Sequence, residues 1–255
     1  MTPSSKGAAL VTGSAIRLGK HIALALAGEG YDIALHYNSS KDKAEATAQE
    51  IRQLGVKCET FQFNLKEAEN ISAFMSHVKV TFPALNILVN SASGYTQATI
   101  ADTTVDTFDT QFALNLRAPF FLTRAFAKMV DKGHVINIID NKIGFNQFNY
   151  AAYLLSKKAF AEFTRMAALE LAPNIRVNGV APGVVLPAKT RSQEYIDWRI
   201  QGIPLRMQGD TGHITQAILS FLQNDFITGQ IIVVDGGENI SQIGQNAGDF
   251  DQSKV

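Results

Sequence analysis

The chain has 255 residues, 46% hydrophobic and 18% charged, and a formal net charge of zero. That length and apolar content suit one α/β domain with a substantial core, and the charge balance offers no footprint for nucleic acid or an anionic membrane. The single cysteine, Cys58, excludes an intrachain disulfide and a thiolate metal site. Residues 1–7 lack a basic segment followed by an apolar stretch, and no apolar run approaches the roughly 18 residues of a membrane helix. The expectation is a cytoplasmic protein that acts on a small molecule, with no metal, nucleic-acid or membrane partner.

Strand-like and helix-like segments alternate along the chain, which predicts a parallel sheet wrapped by helices. A short buried strand, Ala8–Val11, runs into a glycine turn and then a helix to about Ala27, stopped by Gly28 and Gly30. Tyr31–Tyr37 reads as the second strand, and Ser40 as the N-cap of a helix from Lys41 to Leu54 that ends at Gly55. Lys57–Phe63 alternates in polarity, which places this third strand near a sheet edge. A helix from about Glu67 to Phe82 leads to strands at Leu85–Val89 and Val135–Ile139, separated by a long helical region, Val105–Met129. A helix over Tyr150–Pro173 precedes the last two strands, Arg176–Val180 and Ile231–Val234. Between them, Pro182–Gly209 breaks the alternation with three prolines, the only tryptophan and a short helical stretch at Gln193–Gln201, the pattern of a lid or binding segment. With no repeat or linker in view, the chain reads as a single domain, about 7–237, followed by a flexible polar tail, 238–255.

Two constellations carry chemistry. Thr12-Gly13-Ser14-Ala15-Ile16-Arg17-Leu18-Gly19 joins the first strand to a helix N-terminus, where backbone can approach a pyrophosphate. The second strand ends His36-Tyr37-Asn38-Ser39-Ser40, with no carboxylate from Ile33 to Ser40 to hold a ribose 2′-hydroxyl. Neutral donors, with His36 or Lys41 as a cation, favour the 2′-phosphate of NADP. Ser39 and Ser40 would serve equally as helix caps. Arg17 is either a surface residue of the turn or a guanidinium that reaches cofactor phosphate or an anionic edge of the substrate. Far along the chain, Tyr153 and Lys157 are one helical turn apart on one face. An ammonium beside a phenol favours phenolate, so Tyr153 reads as a proton donor or acceptor of lowered pKa.

With Thr12-Gly13…Gly19, Asn90-Ser91-Ala92, Asn115, Tyr153…Lys157 and Pro182-Gly183 in this order, the chain resembles the short-chain dehydrogenase/reductase family from Gly7 to Gly237. The resemblance implies a Rossmann-type three-layer sandwich whose seven-stranded parallel sheet has the order 3-2-1-4-5-6-7, often in homotetramers. It also implies that Tyr153 is the proton donor, that Lys157 binds the nicotinamide ribose and tunes the tyrosine, and that Asn115 holds a relay water. Asn90 would lie against the adenosine ribose. Cofactor contacts would come from Gly13, Ser14, Ile16, Arg17, Leu18 and Gly19, then from His36 to Ser39, Asn64, Leu65, Ser91, Ala92, Pro182 and Gly183.

Three positions depart from the family pattern. Asn90-Ser91-Ala92-Ser93 replaces N-N-A-G, Arg17 replaces a glycine, and the serine expected thirteen residues before Tyr153 is Asp140. Asp140, Arg17-Leu18-Gly19, His36-Tyr37 and the Asn90–Ser93 segment together resemble the pteridine reductase subgroup. A carboxyl beside Tyr153 could relay a proton to a ring nitrogen or bind pterin N–H groups; alternatively, Asp140 caps local backbone. Arg17, Ser93 and Tyr95, with Asp140 and Tyr153, are the expected substrate contacts. Phe112, Phe120 and Phe121 are expected in the core. The rival readings are an NADP-dependent carbonyl reductase related to 3-oxoacyl carrier-protein reductases, and a protein that binds NADP without turnover.

Overall fold

Four residues, Ala8–Val11, form β1 and are buried along their whole length. A computed structural model describes residues 5–187 and 191–241. From β1 the chain continues through α1 (Arg17–Gly28), β2 (Asp32–Tyr37), α2 (Lys41–Arg52), β3 (Cys58–Gln62), α3 (Ile71–Thr81) and β4 (Leu85–Asn90). Then follow α4 (Val105–Phe112), α5 (Ala118–Met129), β5 (Gly133–Ile138), α6 (Ala151–Leu171), β6 (Ile175–Pro182), α7 (Gln193–Gln201), α8 (Thr211–Gln223) and β7 (Ile231–Val234). All neighbouring strands pair in parallel, in the order β3-β2-β1-β4-β5-β6-β7. The order reverses between β1 and β4, so the strand ends there open a crevice at the carboxyl edge of the sheet.

Successive strand residues point to opposite faces, and each face is covered by helices with buried residues at three- and four-residue spacing. On one face Val11, Leu35 and Val89 pack under Ile22 and Leu26 of α1, Ala48 and Ile51 of α2, and Ile214, Ile218 and Phe221 of α8. On the other, Leu10, Leu88 and Val135 pack under Met75 and Val78 of α3, Leu122 and Phe126 of α5, and Ala167 and Ala168 of α6. The result is the three-layer α/β sandwich expected from the resemblance, with β3 at an edge as its alternating pattern predicts.

The structure departs from the sequence reading in four places. Helix α8 was not foreseen, although the 214/218/221 spacing and an Asp210–His213 capping box both signal it. Ser40 precedes α2 but makes no side-chain cap. The long helical region is interrupted: Ala113–Arg117 widens into a π turn between α4 and α5. Pro119 has no N–H to give the carbonyl of Asn115 four residues back, which accounts for a break at this point. Lastly, Glu238, read as the start of a flexible tail, is buried in a short helical turn, Glu238–Ile240. The rest of that expected tail, from 242 on, lies outside the described residues.

Candidate active site

The glycine turn is held from both sides. Thr12 Oγ1 accepts the N–H groups of Ser91 (2.9 Å) and Ala92 (3.0 Å), tying the end of β1 to the segment after β4. Gly13 has φ +66°, and a Cβ there would come within 3.0 Å of Ala92 Cα. A Cβ on Gly19 would lie 2.4 Å from the Gly13 carbonyl, so the start of α1 can press onto the turn only without a side chain. Ile16, at the N-cap, is extended and supplies no cap, and the first turn of α1 has no acidic residue. Its N–H groups and positive dipole end therefore face the crevice uncapped by any side chain. Arg17 has φ +54°, the left-handed region a glycine enters freely, and its Nη2 donates to the Leu186 carbonyl across the crevice. Ser14 turns away: its hydroxyl donates to the Val11 carbonyl at 2.7 Å, fully buried.

At the end of β2, His36 is a brace. Its Nδ1 accepts from Gly13 N–H at 3.0 Å, leaving Nε2 to donate to the Phe63 carbonyl at 2.9 Å. Burial pushes its pKa down to about 4, against the raising effect of the bond to Phe63. Of the two expected cations, His36 and Lys41, His36 is thus neutral and spent on the backbone. Tyr37, Asn38, Ser39 and Ser40 line the crevice with no acid among them, and Asn64, Leu65 and Lys66 border it after β3.

The reacting groups meet at the other end. Tyr153 Oη donates to Asp140 Oδ2 at 2.6 Å, while Asp140 Oδ1 accepts from Lys142 N–H at 2.9 Å. Asp140 caps local backbone, as one of its two expected roles requires: one oxygen caps the turn Asn141–Gly144, while the other accepts from the tyrosine. Lys157 Nζ donates to the Ile138 carbonyl at 2.9 Å and lies 5.9 Å from the centroid of the Tyr153 ring. Burial brings its pKa down to about 8, with Asp140 opposing. The Tyr153 phenol is driven well above its ordinary value, first by burial and then by the Asp140 carboxylate. This reverses the expectation that Lys157 lowers it. The phenol is desolvated beside a negative charge, so it is held protonated.

These groups, with Gly13, Ile16, Leu18 and Gly19, Ser91, Ala92 and Ser93, and Pro182 and Gly183, border one cleft of about 510 Å³. Motifs far apart in the chain are thereby brought into one continuous surface from helix N-terminus to tyrosine. A family model described as enoyl-(acyl carrier protein) reductase matches residues 13–239. The chain belongs to the short-chain dehydrogenase/reductase family.

Among the relatives of this short-chain oxidoreductase, the 3-oxoacyl-(acyl-carrier-protein) reductase FabG of Staphylococcus epidermidis is 33% identical over 238 residues, covering 90% of this chain and 97% of the relative. Among solved structures, FolM alternative dihydrofolate reductase 1 from Brucella suis, in complex with NADP, is 31% identical with a TM-score of 0.88, covering 94% of this chain and 97% of that one. A short-chain dehydrogenase/reductase from Serratia marcescens is 30% identical with a TM-score of 0.87, covering 93% and 99%. The protein is a nicotinamide-dependent short-chain oxidoreductase.

Two expected contacts of this oxidoreductase face elsewhere. Asn90 is buried under the sheet end, where its Nδ2 donates to Asn137 Oδ1 at 2.9 Å and approaches Thr123 Oγ1 at 3.4 Å, clamping β4 to β5. The Asn115 amide is also engaged within the protein. Its Oδ1 accepts from Gly94 N–H (2.9 Å) and Ser93 Oγ (3.0 Å), and its Nδ2 faces Gly94 O, Gln111 Oε1 and Ser156 Oγ. It shapes the loop after β4, and its side chain has little left for a relay water. Tyr95 stacks on Tyr150 (4.6 Å between centroids) and meets Tyr153 edge-on (4.7 Å). Phe120, expected in the core, is instead exposed on α5. Sequence reasoning missed Lys66 and Leu186, which border the cleft just past the expected contacts Leu65 and Gly183.

Proposed function

We propose that the protein is an NADPH-dependent reductase of a reduced pterin, of the dihydropterin or dihydrofolate type. The observation that carries this reading is the 2.6 Å bond from Tyr153 Oη to Asp140 Oδ2. An ionised carboxylate only accepts hydrogen bonds, at about four lone-pair sites, of which Tyr153 and the Lys142 N–H occupy two. The remaining sites suit a ligand rich in N–H donors, such as an aminopyrimidine ring. A ketone oxygen offers only lone pairs and would meet a negative charge. Tyr153, held protonated, supplies the proton to a ring nitrogen.

The residues present fit the cofactor. Uncapped N–H groups at α1 suit the pyrophosphate, and the acid-free edge Tyr37–Ser40, with Lys66 nearby, suits a 2′-phosphate. The cofactor supplies hydride. Lys157 spends one of its three N–H donors on the Ile138 carbonyl and keeps two for the nicotinamide ribose. The carbonyl of Asn115, which Pro119 cannot serve as a helical donor, is the group of that residue suited to hold a water. Phe108, Phe120, Leu155, Met166 and Leu169 expose an apolar face along α4–α6, which supports assembly with further copies as a homotetramer.

The FabG relatives favour a second reading, reduction of 3-oxoacyl thioesters. Initial rates of NADPH oxidation with dihydrobiopterin, dihydrofolate and an acetoacetyl thioester separate the two. Robust thioester reduction without dihydropterin turnover overturns the pterin reading.

A further inference from the structure

We infer that Glu238 is a positioning residue for the substrate: through Arg199 on one side and Asn141 on the other, it holds α7 against the loop that carries Asp140. The inference rests on the proposed function only in taking Asp140 as the acceptor that holds the substrate.

The geometry is a chain of buried polar contacts joining three segments that are remote in sequence. Glu238 and Arg199 are 2% and 5% exposed, in an interior where a lone charge is costly, and they form an ion pair through Oε1 and Nη2. Glu238 Oε2 accepts from Asn141 Nδ2 at 2.8 Å. The second hydrogen of that amide goes to Asp235 Oδ2 at 3.1 Å. Asp235 is itself pinned by the N–H groups of Gly237 (2.9 Å) and Asn239 (2.7 Å), just past β7. Asn141 is the residue after Asp140, so the network ends one peptide bond from the carboxylate that holds Tyr153.

Tyr195, on the first turn of α7, is partly buried, and that burial raises its phenol pKa against the opposing effects of Arg199 and Arg191. Tyr150 stacks on Tyr95, which packs edge-on against Tyr153. Substrate held by Asp140 beside Tyr153 therefore meets this aromatic wall on a loop that the Glu238 network fixes. No step of the proposed reaction uses Arg199 or Glu238, and a buried ion pair adds little net stability over an apolar replacement. Fixed geometry is what such a pair supplies here.

The identity of residue 238 is also chemically specific. Both glutamate oxygens accept, one from Arg199 and one from Asn141. Glutamine has the same shape but a single acceptor oxygen, so Glu238→Gln must turn its NH₂ onto one of these two donors. The lock then opens at one end with no cavity left behind.

The test compares wild type, Glu238→Gln and Arg199→Lys. The readouts are hydrogen exchange of the Gln193–Gln201 amides, NADPH affinity by fluorescence, Tm, and kcat and KM for whichever substrate the wild type reduces. The expected result for Glu238→Gln is exchange in α7 faster by about tenfold. KM should rise by about fivefold or more while kcat stays within about threefold. NADPH affinity should be unchanged, and Arg199→Lys, which keeps the cation, should move the same way by less. Unchanged exchange and KM overturn the inference; so do KM, kcat and NADPH affinity worsening together in step with a lower Tm. If Glu238→Gln does not fold, Arg199→Lys decides by the same criteria. Failure of the pterin reading appears separately, as absent dihydropterin turnover in the wild type, and leaves the exchange readout standing.

Discussion

Replacing Asp140 by asparagine isolates the charge at the centre of the proposed mechanism. The side chain keeps its size, and its amide oxygen can still accept from Lys142 N–H, which Asp140 Oδ1 does now at 2.9 Å. That choice turns the amide NH₂ toward Tyr153 Oη, where an acceptor sits at 2.6 Å in the native protein. A hydrogen bond to a charged group contributes about 1.5–3 kcal/mol. The bond that persists in the transition state is the one from a pterin N–H to the carboxylate, and losing it lowers kcat/KM by about 10- to 150-fold. The measurement is the initial rate of NADPH oxidation across a range of dihydrobiopterin concentrations, with NADPH affinity measured separately and expected to hold. Asp140→Ser in the same assay should damage dihydropterin reduction while providing a hydroxyl able to orient a carbonyl, so its thioester rate should not fall. A kcat/KM for Asp140→Asn within about twofold of wild type would refute the reasoning, because the carboxylate would then be only a backbone cap.

Tyr153→Phe keeps the ring packed against Tyr95 and should reduce turnover by about 10²–10⁴-fold. NADPH binding, followed by fluorescence, should change little; near-normal turnover would remove Tyr153 as the acid. The acid-free edge Tyr37–Ser40 should give at least about a tenfold preference in kcat/KM for NADPH over NADH, equivalent to about 1.4 kcal/mol. Equal values for the two cofactors would contradict it. His36 has a folded pKa of about 4 against the ordinary histidine value of 6.5, so between these values the unfolded chain binds more protons than the native protein. Its contribution to stability is complete above pH 6.5 and is lost as pH falls toward 4. Comparing Tm at pH 7 and 4.5, His36→Gln should show a smaller fall than wild type, and an equal fall would show that His36 does not carry this dependence.

Local chemistry was legible along the chain. The strand-turn-helix at Ala8–Ala27 depends on glycines at 13 and 19 and on an apolar stripe of helical period, which neighbouring residues suffice to specify. The four-residue spacing of Tyr153 and Lys157 needs only a helix, and the acid-free end of β2 is a matter of composition. Order and spacing of these motifs were enough to indicate the family and the sheet order. Helix α8 was equally legible in principle from its apolar spacing and its capping box.

What a residue does once buried depended on partners that spacing does not reveal. His36 reads as a cation until the fold desolvates it and places Gly13 N–H on Nδ1. Lys157 and Tyr153 do share a helical face, yet the tyrosine pKa is set by burial and by Asp140 from the loop after β5, and it moves up. Asn90 sits in a cofactor motif but spends its amide on Asn137 of the adjacent strand. Glu238 lies in a polar stretch that by composition reads as tail, and Arg199, 39 residues earlier, draws it into the interior. Periodicity and turn chemistry are properties of neighbouring residues and are written along the chain. Protonation, acceptor count and the cost of a buried charge depend on which distant groups exclude water from each site, and only the packed structure decides that.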